Sequence, residues 1–392
     1  MARLFLAIGF LCIGWSAAFA DTYNSADRTQ EFEIDSEVLD ETREIIVRTP
    51  PLYKEGAEYP VVYVLDGEWN FEFVASYLDY MADNETFPQM IVTGVKNVNR
   101  NRDYVPREDK HYDDTGEANA FLGFVKDEWI EAVESEYPAS GERIIVGHSF
   151  GGVFALHAFF QEPDLFDANM AFSASAWVGD KVLYEEANAL FDEGRDHDAF
   201  VYMAVGEGDG GPTVPSSREL AAIFEEKAPA SLEWIFDVTP QTDHFKNFTM
   251  GLNDAFMAFF PAWEFEDEVK AAAEADGADG VNAWFDEKRE ALGFRFHPAW
   301  FDMGITAMQL SRSDHGAAAL ALMAQLRAHY PNNAYIADFS ASAYENAGQL
   351  GEAASEYERA IALAVEQGLH PNAIHADRLE RNLARVRGEA TQ

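Results

Sequence analysis

A serine flanked by glycines is the residue of this chain that most clearly points to chemistry. Residues 147–151 read G-H-S-F-G, which fits the pattern G-x-S-x-G with Ser149 at its centre. An apolar, strand-like segment, Arg143 to Val146, precedes the pattern, and a helix-like segment, Val153 to Phe160, follows it. In a sharp strand-to-helix turn the outer glycines permit close backbone packing, and the serine hydroxyl is held above the sheet edge. The sequence therefore predicts Ser149 as a nucleophile.

Such a serine needs two partners, because a hydroxyl is weakly nucleophilic at neutral pH without a base and a group that orients the base. His244 follows the last predicted strand, in a polar loop that leads towards a helix, and we expect it to be the base. The orienting acid is expected in the glycine-rich turn after the preceding strand. Asp209 is our first choice there, and Glu207 is the alternative.

Two backbone amides are expected to bind the negative charge that develops on the substrate oxygen. One is the amide of Phe150, the residue after the nucleophile. The other is expected in the loop after an early strand, where a glycine permits close approach to the substrate. We assign the amide of Glu68, with that of Gly67 as the alternative; an ordinary turn is the competing interpretation.

The elements that must position these residues form an alternating pattern between about residues 31 and 262. Short β-branched runs are separated by helical ones, which predicts a mostly parallel sheet with helices on both faces. The predicted strands are Glu44 to Arg48, Val61 to Leu65, Met90 to Val95, Arg143 to Val146, Ala168 to Phe172, Phe200 to Val205 and Leu232 to Val238. The predicted helices are Asn119 to Tyr137, Val153 to Phe160 and Ser217 to Lys227. The Glu44 and Val61 segments are close enough along the chain to form an antiparallel start.

Beyond residue 262 the pattern becomes entirely helical. Residues 263–299 are charged and alanine-rich and are predicted to form a helical connector. Residues 300–392 are predicted to form a tetratricopeptide-like (TPR-like) helical domain, because small and large apolar residues recur at an offset of 34, as in Ala307 with Ala341 and Met323 with Tyr357. An alanine-rich helical bundle is the alternative. Two repeats are few for an independent solenoid, so this domain is expected to bind a protein partner or to self-associate.

The ends and the composition narrow the class of protein. Residues 1–20 match a secretory signal peptide, with Arg3, an apolar run and an Ala-Phe-Ala cleavage site, so residues 21–262 would form the mature first domain and the protein would be exported to the periplasm or medium. The single cysteine, Cys12, lies in this signal. The formal charge of −41 argues against nucleic acid and anionic membranes as partners. No metal motif occurs, and neither a metal nor another cofactor is expected.

Five ordered segments resemble one family. They are residues 62–67, 101–106, 121–124, 147–152 and 173–177. Together they resemble the Putative esterase family of α/β-hydrolases, which includes esterase D-like enzymes and ferric siderophore esterases. The resemblance implies an α/β-hydrolase fold and cleavage of carboxylic esters through an acyl-enzyme, with Ser149, His244 and the turn ending at Asp209 in the catalytic roles. Ala174 departs from the proline that the family often shows there.

We therefore expect an exported serine hydrolase that cleaves a small-molecule ester. Trp177 and Tyr104 are expected in the pocket wall. Cleavage of a siderophore trilactone is an alternative and would need cations at the mouth, for which Arg102 is a candidate beside Arg100 and Arg107. Acyl transfer would use the same residues. A hypothesis of another class is a binding or scaffold protein that acts through the TPR-like region and carries a vestigial hydrolase domain.

Overall fold

The computed structural model describes residues 28–54, 56–261, 265–369 and 374–388. These divide into two compact units, of which the first ends at Phe259 and the second starts at Phe260. The predicted signal peptide, residues 1–20, lies outside the described residues.

The first unit is built on one sheet of eight strands. They are β1 (Thr29–Ser36), β2 (Glu41–Arg48), β3 (Tyr59–Val64), β4 (Ile91–Val95), β5 (Ala139–His148), β6 (Ala168–Phe172), β7 (Phe200–Gly206) and β8 (Glu233–Thr239). Their order across the sheet is β1-β2-β4-β3-β5-β6-β7-β8. The pairs β1–β2 and β2–β4 are antiparallel, and every other pair is parallel. The α/β-hydrolase fold predicted from the sequence is confirmed.

The antiparallel strands at the beginning of the sheet are not the pair that was expected. The Glu44 segment, in β2, pairs with β1 and β4, whereas the Val61 segment, in β3, pairs in parallel with β4 and β5. Strand β1 was not predicted because its polar and charged residues alternate with only two apolar ones, as suits a strand at the edge of the sheet. Proximity along the chain thus did not determine which strands pair.

Helices cover both faces of the sheet. Those of the first unit are α1 (Gly67–Asp83), α2 (Arg100–Tyr104), α3 (Ala118–Phe124), α4 (Ile130–Glu136), α5 (Phe150–Gln161), α6 (Val178–Asp192), α7 (Thr213–Lys227) and α8 (His244–Phe259), with a π-helical turn, Val125–Trp129, between α3 and α4. Every residue of β3, β6 and β7 is buried, which is why the central strands are continuous apolar runs in the sequence. One large cluster of buried aromatic and aliphatic side chains lies in this unit, and further apolar side chains such as Phe71 and Phe256 are buried outside that cluster.

The second unit is all-helical in its described residues. Its helices are α9 (Glu266–Leu292), α10 (Trp300–Ser311), α11 (Gly316–His329), α12 (Ala334–Asn346), α13 (Leu350–Glu366) and α14 (Ala376–Val386), with a 3₁₀ turn, Gly293–Arg295, after α9. Helices α10 and α12 begin at residues 300 and 334, and α11 and α13 at 316 and 350, so both pairs are offset by 34 residues. The segment predicted as a connector is mostly helix α9, whose Val281 and Phe285 are buried in the same cluster as Leu322. The TPR assignment and the predicted boundaries stay predictions.

Within the described residues, no helix has both the length and the apolar character needed to cross a membrane.

Candidate active site

Ser149 occupies a strained turn between β5 and α5. Its backbone dihedrals are φ 60° and ψ −116°, and its amide donates to Phe172 O at 2.9 Å. Few non-glycine residues adopt a positive φ, and the strain is tolerated where the surroundings enforce it. Gly147 makes the turn possible, since a Cβ atom placed there would lie 2.1 Å from the carbonyl oxygen of Gly151. This geometry places the side chain of Ser149 at the carboxyl end of the sheet.

The structure pairs His244 with Asp209. The Nδ1 atom of His244 lies 3.0 Å from Oδ1 and 3.1 Å from Oδ2 of Asp209, whose side chain is only 2% exposed. An Nδ1–H donor in this bond leaves Nε2 as the basic nitrogen of the neutral ring. Glu207, the alternative acid, is exposed and accepts a hydrogen bond from the amide of Gln241 instead.

Two glycines let the loop carrying Asp209 approach the loop carrying His244. A Cβ atom at Gly206 would lie 2.9 Å from Asp243 O, and one at Gly208 would lie 3.0 Å from Thr242 O. The amide of Gly208 also donates to Thr242 O at 2.9 Å. The carboxyl ends of the neighbouring strands β7 and β8 therefore deliver the acid and the histidine side by side.

Asn247 is a positioning residue that the sequence did not reveal. It begins an Asn-Phe-Thr triplet of the glycosylation type, yet it is fully buried in the first two turns of α8. Its Nδ2 donates to Ser173 Oγ at 2.9 Å and to Ala204 O at 3.1 Å. These bonds attach the helix that begins with His244 to the ends of β6 and β7, and only the tertiary structure assigns this role.

His148, next to the nucleophile, also contacts His244. The centroids of the two imidazole rings are 4.6 Å apart, and His148 Nε2 lies 2.8 Å from the carbonyl oxygen of His244. Burial, followed by the neighbouring His244, lowers the pKa of His148 from 6.5 to about 4, so the ring is neutral and donates from Nε2. Within the described residues, Ser149 Oγ and His244 form no direct hydrogen bond, a separation that unliganded catalytic sites commonly show.

The predicted oxyanion donors lie at the starts of two helices. Phe150 is the first residue of α5 and Glu68 is the second residue of α1, where amides have no acceptor within the helix. Helix α1 begins at Gly67, directly after Asp66, whose φ of 56° turns the chain out of β3. Because β3 and β5 are adjacent parallel strands, these two helix starts are neighbours at one edge of the sheet.

A buried ion pair joins the two helix starts. Arg100 Nε and Nη2 donate to the carboxylate of Asp66 at 2.6 and 2.8 Å, and Nη2 also reaches His148 O at 3.2 Å. Asp66 is 1% exposed, and a Cβ atom at Gly151 would lie 3.2 Å from its Oδ2. The sequence identified Asp66 only as part of a turn, because its partner is 34 residues away.

The predicted pocket residues have different environments. Tyr104 is fully buried, and its hydroxyl accepts a hydrogen bond from the amide of Asp66 at 3.0 Å, so its ring belongs to the core rather than to an open wall. Arg102 forms ion pairs with Glu41 and Asp103. Trp177 is half-buried, and a residue not predicted, Tyr112, lies against it with ring centroids 5.9 Å apart.

In the described part of the chain, histidine, cysteine, aspartate and glutamate side chains form no cluster of three or more that could hold a metal ion.

Comparison with known proteins assigns the chain to a family. The model of the family described as "Putative esterase" matches residues 36–252, more than half of the chain. A triacetylfusarinine C siderophore esterase of Aspergillus fumigatus is 35% identical over 79 residues, which cover 20% of this chain and 27% of that protein. An uncharacterised protein of Bacillus subtilis, YbbA, is 24% identical over 43% of this chain and 69% of its own length. The matched segment thus spans about a quarter of the fungal relative.

Solved structures agree on the fold. An IroE-like serine hydrolase from Shewanella oneidensis superposes with a TM-score of 0.61 at 25% identity, covering 77% of this chain and 99% of that one. An uncharacterised protein from Capnocytophaga ochracea has a TM-score of 0.61 at 18% identity and covers 92% of this chain and 99% of its own. The chain therefore belongs to the Putative esterase family, a family of carboxylic ester hydrolases with the α/β-hydrolase fold.

Proposed function

We propose that this protein hydrolyses carboxylic esters through an acyl-enzyme formed on Ser149. Ser149 Oγ attacks the ester carbonyl carbon while Nε2 of His244 takes the hydroxyl proton. The carbonyl oxygen becomes negative and is bound by the amides of Phe150 and Glu68. The tetrahedral intermediate collapses, the bond to the alcohol oxygen breaks, and His244 returns its proton to the leaving alcohol. Water then attacks the acyl-enzyme by the same route and releases the acid.

The observation that carries this proposal is the bond between His244 Nδ1 and Asp209, beside a strained serine. Asp209 fixes the tautomer that leaves Nε2 basic, and it stabilises the imidazolium formed when the proton moves. His148 links the ring to the nucleophile, since it precedes Ser149 and contacts His244 through both its ring and its Nε2 atom.

Three variants test the assignment with p-nitrophenyl acetate. We expect Ser149→Ala to lower kcat by at least about 10³-fold, and Asp209→Asn to lower it by about 10²- to 10⁴-fold. Glu207→Gln is the matched control two residues away, and we expect it to leave kcat unchanged because Glu207 is exposed and bonded to Gln241 N. Equal turnover by wild type and Ser149→Ala would refute the proposal, and loss of activity in Glu207→Gln but not in Asp209→Asn would transfer the acid role to Glu207.

Siderophore esters are a second candidate substrate class. Similarity to the Aspergillus fumigatus siderophore esterase favours them. Acyl transfer to an alcohol instead of water remains an alternative outcome of the same acyl-enzyme, and turnover in the presence of added alcohols distinguishes it by the ester product formed.

We further propose that the protein is exported and that its second unit binds a protein partner or another copy of the chain. Export is supported by the pattern of residues 1–20, and the binding role by the helices that recur at an offset of 34 residues. N-terminal sequencing of the protein from its native cells tests the first proposal, and a start at residue 21 is expected. The scaffold hypothesis requires a partner that binds while Ser149 stays unreactive to a fluorophosphonate probe.

A further inference from the structure

We infer that the ester which this site accepts is neutral and carries an extended apolar or aromatic acyl group. This inference rests on the proposed function, because it concerns the substrate of the same serine. Three features carry it: exposed aromatic rings around the site, cations that are already paired, and acids without a cationic partner.

Three exposed aromatic side chains, here named the aromatic rim, surround the site. They are Trp69, Phe73 and Phe245, whose exposed fractions are 67%, 37% and 75%. Large apolar side chains are seldom left exposed together without a binding role. Trp69 directly follows the predicted oxyanion donor Glu68, and Phe245 directly follows His244, so the rim residues adjoin two of the candidate catalytic positions along the chain.

Each ring of the aromatic rim reaches the nucleophile turn through at most one intermediate side chain. The ring centroid of Phe245 lies 5.9 Å from that of His148, and Phe73 reaches His148 through Phe248, with centroid distances of 5.8 and 5.4 Å. The third ring, that of Trp69, is contacted by Arg100, whose guanidinium carbon lies 5.6 Å from the ring centroid.

Arg100 also connects Trp69 to Phe150, the residue after the nucleophile. Arg100 lies 5.3 Å from the ring of Phe150, and Phe150 packs edge-on against Tyr112 with centroids 5.0 Å apart. Tyr112 in turn contacts Trp177. Phe150, the residue after the nucleophile, is thus joined to the half-buried rings of Tyr112 and Trp177 and, through Arg100, to Trp69 of the aromatic rim. We place the acyl group of the substrate against these rings.

Four cations near the site already have acidic partners, so they are not freely available to an anionic substrate. The ion pairs are Arg100 with Asp66, Arg102 with Glu41 and Asp103, Arg107 with Glu185, and Lys246 with Asp243. Arg100, Arg102 and Arg107 are the residues that a ferric or catecholate siderophore would need. Recruiting any of them would break an existing pair.

Two acids near the site further disfavour a negatively charged substrate. Glu68 is exposed and is hydrogen-bonded to Asn97 rather than to a cation, and Glu207 is exposed and accepts from the amide of Gln241. Together with the formal charge of −41, these carboxylates repel a negative substrate and leave a neutral one unaffected.

A pair of esters of equal chain length tests the charge preference. One is p-nitrophenyl hexanoate and the other is mono-p-nitrophenyl adipate, in which a carboxylate replaces the terminal methyl group. We expect kcat/KM at pH 7.5 to be at least about tenfold higher for the hexanoate, because the adipate brings a negative charge to an acidic mouth. Equal values, or a preference for the adipate, would overturn the inference.

Removal of the aromatic rim tests the apolar contact. We expect Trp69→Ala combined with Phe245→Ala to lower the ratio of kcat/KM for the hexanoate to that for p-nitrophenyl acetate by about tenfold. Tyr80→Ala is the matched control, since Tyr80 is 66% exposed on the same helix, more than ten residues from Trp69, and we expect the ratio to stay at the wild-type value.

The two proposals fail in different ways. If the double variant keeps the wild-type hexanoate to acetate ratio, the substrate class is wrong while the esterase assignment stands. If wild type and Ser149→Ala hydrolyse the acetate equally, the proposed function fails, and the inference fails with it.

Discussion

At the scale of single residues, the site depends on side chains whose charge is controlled by their neighbours. Burial lowers the pKa of His148 and keeps its ring neutral, and its Nε2–H donates a hydrogen bond to His244 O. The side chain of Asp209 is buried and contacts His244 Nδ1, whereas Glu207, two residues earlier, lies in solvent. The difference between these two acids is one of position and burial rather than of chemistry.

The lowered pKa of His148 predicts a specific loss of stability in acid. As the pH falls from about 6.5 to about 4, the unfolded chain takes up this proton before the folded one, so the free energy of unfolding decreases through that window. The full effect of this shift is about 3 kcal/mol. Urea unfolding of wild type and His148→Gln at pH 7, 5.5 and 4.5 measures it, and the variant is expected to lose less stability than wild type over this range.

The glutamine keeps an amide donor for His244 O but has no proton to gain, and all other titrating groups are common to both proteins. Parallel stability curves for the two proteins between pH 7 and 4.5 would show that His148 titrates normally in the folded state.

At the scale of elements, the short helix α2 is held in place by buried charges. Arg43, on β2, is fully buried and binds Asp103, which is 1% exposed. Asp103 also accepts a hydrogen bond from Arg102, and Arg100 at the start of the same helix reaches Asp66. A helix of five residues has little stability of its own, so these pairs determine where Arg100 lies.

Removal of the charge of Asp103 is therefore expected to destabilise the fold strongly. Asp103→Asn keeps the shape but removes the buried carboxylate partner of Arg43 and leaves only the partly exposed Glu41, which we expect to lower the free energy of unfolding by about 3–5 kcal/mol. Glu185→Gln is the control, because its pair with Arg107 is exposed to solvent and is expected to contribute little to stability. Urea unfolding at pH 7 compares the two, and equal small losses would show that the buried pair does not hold α2.

Some strands and helices could be predicted from the local sequence pattern, and others could not. The strand Ala168–Phe172 was predicted at its observed bounds, because a fully buried parallel strand is rich in apolar residues, and only Asn169 departs from that pattern here. Strand β1 and helix α1 were not predicted, since the first alternates charged with apolar residues and the second mixes aromatic and acidic residues after the Asp66 turn. Their partners lie elsewhere in the chain, and local pattern does not report them.

At the scale of the whole molecule, the chain divides into two compact units. Every residue of the main hydrophobic cluster of the first unit lies before residue 233, and those of the two clusters in the second unit lie at or beyond residue 265. The candidate catalytic residues Ser149, Asp209 and His244 all belong to the first unit.

A shortened chain of residues 21–262 is accordingly expected to fold and to hydrolyse p-nitrophenyl acetate with a kcat/KM close to that of the full protein. The main hydrophobic cluster of the first unit lies within that range, and a domain of this length buries enough surface to be stable alone. Circular dichroism and urea unfolding verify folding, and residues 263–392 alone are the control without a nucleophile. A folded but inactive fragment would show that the second unit takes part in catalysis.

The sequence by itself determined the class of the first unit, the strained serine turn and the order of acid and histidine, because these depend on residue types at short, fixed spacings. It also determined the acidic surface, which follows from the composition. The tertiary structure alone placed Asp209 rather than Glu207 against His244, buried the ring of Tyr104 and paired Arg100 with Asp66. Those outcomes depend on which side chains meet across loops from different strands. Contacts over such separations are set by sheet order and burial, which no local spacing encodes.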